Sequence, residues 1–342
     1  MKIYLITDSK GFYGQKMYPW EGVNISTIIS RIEEFFPVEH ISFDQVVNSN
    51  IDINNSIVVY SSSQQHEYKE YIEDVLLYLT QKGNRLIPSI NIFKSHENKG
   101  YQELHKKLLG IKSLNCSYYG HHNEKRIDNI NFPVVVKKLD GAGSGGVSLA
   151  RSEKDIISFA TSSECLLNRE RLRQLKSLIL TPLKKLILNR DTPKYFYGDY
   201  FDYFKRFVVQ DFVPNLENAF KILILNNKYY VAKRYTREND FRASGSGNFE
   251  HEKGYPELLD YAHKLFKKFD EPFLSLDICS DGENHYLIEF QGTHFGPLFL
   301  LTSPGYYKQE NNQWVFLKEK SDLDSEVSIS LAHYIKKKMD SI

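Results

Sequence analysis

Cysteine is scarce in this sequence: among 342 residues only Cys116, Cys165 and Cys279 carry a thiol. They are widely spaced and form neither a CxxC pair nor a Cys/His cluster. That excludes a disulfide framework and a structural zinc module, and it points to a reduced, cytoplasmic protein. Net charge is equally scarce, because 44 basic residues nearly cancel 43 acidic ones. No general field is left to hold nucleic acid or a membrane surface, so a small molecule is the expected partner. Long apolar runs are missing as well. The N-terminal "KIYLIT" is broken by Asp8, too early for a signal sequence, and no segment approaches the length of a membrane span.

What is present is 41% hydrophobic content spread over 342 residues. That exceeds what one compact core holds and implies two or three α/β modules sharing a cleft. Residues 1 to about 90 alternate strand and helix patterns. "KIYLIT" and "SIVVYSSS" read as buried strands, Ile25, Ile28, Ile32 and Phe35 recur at helical spacing until Pro37, and a helix from about Glu70 carries Ile72, Val75, Leu76 and Leu79 on one face. "RLIPS" gives a third short strand, which completes the rhythm of a small parallel sheet. A helix over "NKGYQELHKKLLG" is expected, with Leu104, Leu108 and Leu109 sharing a face and Gly110 ending it, and Ser152 with Asp155 resembles a capping box for the helix after it. The last third is strand-rich: one hairpin turns at Asn226-Asn227 and a second at Asp281-Gly282, with a helix between them bearing Leu258, Leu259, Ala262, Leu265, Phe266 and Phe269. The basic, leucine-rich stretch 163–195 reads as a surface helical insertion or as a lid for an anionic substrate.

Three groups of residues carry chemistry. "PVVVKKLDGAGSGGV" sets Lys137 on an apolar strand just before Gly141, Gly143, Gly145 and Gly146, a loop able to lay bare amides against phosphate oxygens; a mobile hairpin tip is the plainer alternative. It is not a Walker A loop, since the lysine precedes the glycines, and it lacks the helix that a Rossmann fingerprint requires. The second group is acidic. Glu289 and Gln291 lie two apart on one strand of the last hairpin and share a face, with Asp277 able to meet them from the other strand, an all-oxygen set suited to Mg²⁺; a solvated hairpin face is the alternative. The third group is cationic, with Lys233 and Arg234 ending a strand and Arg242 following in "NDFRASGSG", a match to phosphate oxygens or to ordinary surface salt bridges.

In this order the pieces resemble the ATP-grasp superfamily over roughly residues 85–300, in particular its branch of ribosomal-protein glutamate ligases and other carboxylate–amine ligases. The resemblance implies an α/β fold, α+β in its C-terminal half, with a parallel N-terminal domain at 1–90, a central subdomain at 91–206, a C-terminal subdomain at 207–342, and the ATP cleft between the last two. It implies ATP as co-substrate, held by Lys99 at the start of a helix, by Lys137, by the loop Gly141, Ala142, Gly143, Ser144, Gly145 and Gly146, and by Gln210, Asp211, Phe212 and Val213 of "VVQDFVP" around adenine. Asp277, Glu289 and Gln291 become ligands of two Mg²⁺ ions, for which Mn²⁺ can substitute; Gln291 stands where the family usually carries Asn.

The implied reaction is ligation. ATP activates a small-molecule or peptide carboxylate as an acyl phosphate, an amine attacks it, and an amide, ADP and phosphate result, with Arg242 assisted by Lys233 and Arg234 at the developing charge. His294 in "GTHFGP" is a candidate base, or a packed histidine that orients other groups. A peptide-modifying ligase and a nucleotide-binding regulator without ligase activity are the competing readings. Nucleic acid and membrane are not expected as partners, and a homodimer is left open.

Overall fold

A computed structural model describes residues 2–121, 130–141, 145–161, 205–214, 216, 218–235, 242, 249–251 and 254–340, together with 176, 179, 180, 182, 183, 186 and 187. Ala142, Gly143, Ser144 and most of the basic stretch 163–195 lie outside the described residues. The chain forms two compact units, one gathering residues 1–114 and 213–342 and the other 115–141 and 145–212.

In the first unit, β1 (Ile3–Thr7) runs into a small antiparallel ribbon, β2 (Gln15–Met17) with β3 (Glu21–Gly22), and then into α1 (Ile25–Glu33), which Asn24 caps by accepting the backbone N–H groups of Ser26 and Thr27. Ile28 and Ile32 are fully buried on α1, whereas Phe35 falls beyond the helix end and is 38% exposed. β4 (Val38–Ser42) and α2 (Phe43–Asn48) follow, the helix begun by a capping box between Ser42 and Gln45. Neither was visible in the pattern, because "VEHIS" is a short, half-buried edge strand with no clean alternation. β5 (Ile57–Tyr60), α3 (His66–Gln81) and β6 (Arg85–Ile87) complete a parallel sheet in the order β4-β1-β5-β6. Ile72, Val75, Leu76 and Leu79 of α3 are buried at the spacing the sequence shows.

Two helices, α4 (Ile90–Ser95) and α5 (Lys99–Leu108), lead out of that sheet. α5 inverts the expectation for its faces. Leu104 and Leu108 are 47% and 71% exposed, and the buried side carries Gly100, Gln102, Glu103, His105 and Lys106. Hydrophobic spacing misleads here because the helix covers a strand edge whose unpaired backbone groups demand polar partners.

The second unit holds β7 (Cys116–Tyr119), β8 (Val134–Lys138), β9 (Val147–Ala150), α6 (Glu153–Thr161) and β10 (Phe207–Asp211), with the strands antiparallel in the order β7-β10-β8-β9. Val134, Val136, Phe207 and Val209 face a core with Tyr119, Ala150, Ile156 and Ala160. Period two sends Val135, Lys137, Val208 and Gln210 to the opposite face. Asp155 accepts the Arg151 N–H at 2.8 Å ahead of α6.

Back in the first unit, β11 (Asn218–Leu225) and β12 (Lys228–Tyr235) turn through Asn226 and Asn227, both at positive φ (48° and 58°). β13 (Phe249–Glu250) pairs with β12; α7 (Pro256–Phe269), β14 (Phe273–Ser280), β15 (His285–Gln291), α8 (Leu298–Thr302), β16 (Tyr306–Glu310), β17 (Gln313–Leu317) and α9 (Leu323–Met339) follow. The antiparallel sheet runs β15-β14-β11-β12-β16-β17, so β15 is an edge strand. Its other face and the parallel sheet share one core, in which Ile3, Leu5, Ile28 and Ile32 meet Leu223, Leu225, Val327, Leu331 and Ile335.

Candidate active site

In the second unit, the hairpin from β8 to β9 carries the glycine loop. Gly141 has φ +98°, a left-handed conformation open to glycine, and a Cβ on Gly146 would come within 3.0–3.1 Å of the Lys138 side chain. The hairpin closes through the Lys138 N–H, which donates to the Gly146 carbonyl at 2.8 Å. Lys137 lies across from Val208, and its Nζ donates to Gln210 Oε1 at 2.5 Å on the same sheet face. Gln210 is 3% exposed. Asp211 ends the strand, accepting from Asn115 Nδ2 at 2.7 Å, and Phe212 and Val213 follow half-buried. An ammonium beside a glycine hairpin is a combination suited to nucleotide phosphates.

The first unit brings the acidic and cationic groups together. Asp277 on β14 pairs directly with Glu289 on β15, and Ser275 with Gln291. Between these pairs and the hairpin turn the register slips, because Ile278 faces Leu287 and Ile288 is left without a partner. This bulge lets Leu287 and Phe290 both enter the core while Glu289 and Gln291 stay on the Asp277 side.

Asp277 is surrounded by cations. Arg234 Nη1 donates to its Oδ2 at 3.2 Å, and Lys221 Nζ lies 3.7 Å from its Oδ1. Burial pushes this carboxyl upward, but Lys221 and Arg234 outweigh it and hold Asp277 below the usual carboxylate range. Lys221 is itself 5% exposed, and burial lowers its ammonium against the pull of Asp277. Both cations lean on the Phe299 ring, Lys221 at 5.6 Å and Arg234 at 5.2 Å from its centroid. Lys99, the first residue of α5, reaches Glu289 at 3.9 Å. Lys233 lies on β12 with its ammonium 5.2 Å from the Tyr235 ring, and Arg242 is half-buried.

Among the described residues no further strand pairs with edge strand β15, and side chains take over its outer backbone groups. The Phe290 N–H donates to Gln102 Oε1 at 3.3 Å; Lys106 Nζ and Ser113 Oγ donate to the Leu287 carbonyl at 3.4 and 2.6 Å; the Leu287 N–H donates to the Tyr261 hydroxyl at 3.1 Å. Lys99, Gln102 and Lys106 recur at helical spacing, so one face of α5 both holds β15 and delivers a cation to Glu289.

Asp277, Glu289 and Gln291 fit a hard divalent ion. They offer oxygen atoms only, and Asp277 Oδ1 is a buried oxygen with no hydrogen-bond partner. Among the described residues no group of three His, Cys, Asp or Glu side chains gathers as a metal site, so the two carboxylates depend on Gln291 for a third protein ligand.

Lys221 was missed by sequence reasoning. Its signal is a single charge inside the apolar run "AFKILIL", where an unpartnered ammonium is costly. His294 follows β15, and burial holds its ring down to about 4, neutral at pH 7.

No protein-family model and no curated protein matches this chain. Solved structures do. D-alanine–D-alanine ligase from Bacillus anthracis aligns over 100% of both chains with a TM-score of 0.50 and 14% identity. D-cycloserine synthetase DcsG aligns over 97% of this chain and 99% of its own, with a TM-score of 0.51 and 10% identity. The ATP-grasp ligase PsnB, complexed with a minimal precursor, aligns over 97% of this chain and 98% of its own, with a TM-score of 0.51 and 10% identity. At these identities the likeness is one of architecture: the chain has the ATP-grasp fold. Among the described residues no helix is long and apolar enough to cross a membrane.

Proposed function

We propose that this protein is an ADP-forming ligase that uses ATP to activate a carboxylate and join it to an amine. The observation that carries this reading is the cross-strand pair Asp277–Glu289, with Arg234, Lys221 and Lys99 at 3.2, 3.7 and 3.9 Å from its carboxylates. Carboxylates and cations fixed on adjoining strands suit a metal-bound triphosphate, whereas a plain binding module has no use for both.

Asp277, Glu289 and Gln291 would hold Mg²⁺, two ions on the family pattern. When bound, the metal supplies positive charge to the phosphate oxygens. Lys99, Lys137 and the loop from Gly141 to Gly146 hold the triphosphate, and Gln210, Asp211, Phe212 and Val213 border the adenine. The substrate carboxylate oxygen then attacks the γ-phosphorus, the bond to the β-phosphate oxygen breaks, and ADP leaves. The amine nitrogen attacks the carbonyl carbon of the acyl phosphate, the amine loses a proton, and phosphate departs. Arg242, Lys233 and Arg234 stabilise the charge that develops at each step, an effect on the order of a few kcal/mol for each well-placed donor.

Screening acid and amine pairs for Mg²⁺-dependent ADP release tests the reading. Release with one pair and its loss in Glu289→Ala are expected; normal ligation by that variant would sink the metal assignment.

A further inference from the structure

The basic, leucine-rich stretch plays no part in the site above, and it belongs to the second unit. Its described residues, from Lys176 to Ile187, are all helical and all exposed. Ile179, Leu180, Leu183, Leu186 and Ile187 fall at i, i+1, i+4, i+7 and i+8, the spacing of one helix face and a stripe on the order of 100° wide. An insertion that merely packs would bury that stripe, as α3 buries Ile72, Val75, Leu76 and Leu79. Here the five aliphatic side chains are between 47% and 83% exposed, with Leu186 and Ile187 the most open of them.

Charge is concentrated in the same segment. Residues 171–190 hold six of the chain's 44 lysines and arginines and none of its 43 acids. The remaining 322 residues therefore carry 38 bases against 43 acids, so the near-zero balance of the whole chain conceals a cationic segment on an anionic body. A membrane surface, which the overall charge argues against, is favoured by this one segment.

Four kinds of occupant compete for an aliphatic stripe set among cations. A second copy presenting the same face would bring six cations against six. Nucleic acid supplies negative charge but has no use for leucine; single strands stack their bases on aromatic rings, and residues 171–190 contain none. Protein interfaces select aromatic residues and methionine at their centres and are depleted in lysine, the reverse of this composition. An anionic bilayer meets both halves at once, because acyl chains take the leucines and isoleucines while the headgroups take the lysines and arginines. No unbroken apolar run in the segment exceeds three residues, far short of the about 20 that cross a bilayer. The pattern is that of a segment lying on the surface.

We propose that the exposed face of residues 176–187 is a docking surface for an anionic membrane, with Ile179, Leu180, Leu183, Leu186 and Ile187 set among the acyl chains. The same unit carries the glycine hairpin of β8 and β9, so docking brings that unit to the lipid. Docking requires neither ATP nor metal, and it stands or falls independently of the ligase reading.

The test is flotation of the purified full chain with lipid vesicles, without ATP or metal. Vesicles of equimolar phosphatidylglycerol and phosphatidylcholine should carry the protein. Pure phosphatidylcholine should bind it at least about tenfold more weakly, since each cation near an anionic surface is worth about fivefold. Raising salt from about 0.1 M to about 1 M shortens the screening length roughly threefold and should release most of the protein. The double variant Leu186→Ser/Ile187→Ser should bind at least about tenfold more weakly, the scale of withdrawing two aliphatic side chains from an apolar phase, and its melting temperature should be unchanged. Lys184→Gln/Lys185→Gln should lose about 25-fold on the anionic vesicles and little on phosphatidylcholine. Absence of flotation with anionic vesicles would assign the face to a protein partner and overturn the proposal. Equal binding to both vesicle types, wild-type binding by both double variants, a lowered melting temperature of Leu186→Ser/Ile187→Ser, or a dimer in sedimentation that this variant abolishes would overturn it as well.

Discussion

The backbone N–H of Phe290 donates to the side-chain oxygen of Gln102 at 3.3 Å, and Glu289 stands one residue before that bond. A helix side chain thereby does for the edge of the sheet what a further strand would do elsewhere. Gln102→Leu keeps the volume and removes the acceptor, leaving a buried N–H unpaired at a cost of about 1–3 kcal/mol. The variant should melt earlier and need more Mg²⁺ for half-maximal ADP release. An unchanged Mg²⁺ dependence would separate Gln102 from the geometry of Glu289.

Asp277→Asn and Glu289→Gln preserve shape and remove charge. Each should lower Mg²⁺-dependent phosphate release by a factor on the order of 10²–10³, the usual scale for losing one preorganised electrostatic contact. Circular dichroism should report an intact fold in both. Either variant working at the wild-type rate would remove that residue from the metal site.

Lys221→Met replaces a buried cation with an apolar side chain of similar length. Asp277 then retains Arg234 alone, and ADP release should fall about 10²-fold through the lost charge. Removing one partner of a buried pair costs up to about 3–5 kcal/mol, so a lowered melting temperature is expected alongside. A variant with normal kinetics and a lowered melting temperature would mark Lys221 as structural.

Glu271 gives a pH signature unrelated to catalysis. It is 5% exposed, both its oxygens accept from the Ser89 N–H at 3.2 Å, and burial pushes its carboxyl up to about 7 from 4.5. Between those values the folded chain keeps a proton that the unfolded chain has released. Stability therefore falls as pH rises through this window, by an amount on the order of 3 kcal/mol. Glu271→Gln should be more stable than wild type at pH 8, with the advantage vanishing near pH 4. Parallel stability curves for the two proteins would refute the shift.

Much of the architecture is legible in the residues themselves. The strand Val134–Lys138 running into glycine, the turns at Asn226-Asn227 and Asp281-Gly282, and the stripe Ile72, Val75, Leu76, Leu79 all follow from local rules, because turn chemistry and apolar spacing are properties of neighbours. What stays hidden depends on partners far along the chain. α5 buries Gln102 and Lys106 because an edge strand nearly two hundred residues away lacks a neighbour among the described residues. The bulge at Ile288 is invisible to strict alternation, although alternation does place Glu289 and Gln291 together. Leu323, Val327, Leu331 and Ile335 form a plain helical stripe, yet nothing in them names α1 as the surface they cover.

That last contact bears on how the chain is made. Ile28 and Ile32 leave the ribosome early, and the helix that covers them, with Val327, Leu331 and Ile335, is synthesised about 300 residues later, roughly 15–60 s at ordinary translation rates. During that interval the parallel sheet has strands and turns but an uncovered apolar side. A nascent chain stopped before residue 323 should accordingly be a client of holding chaperones, and release from them should coincide with arrival of the final helix.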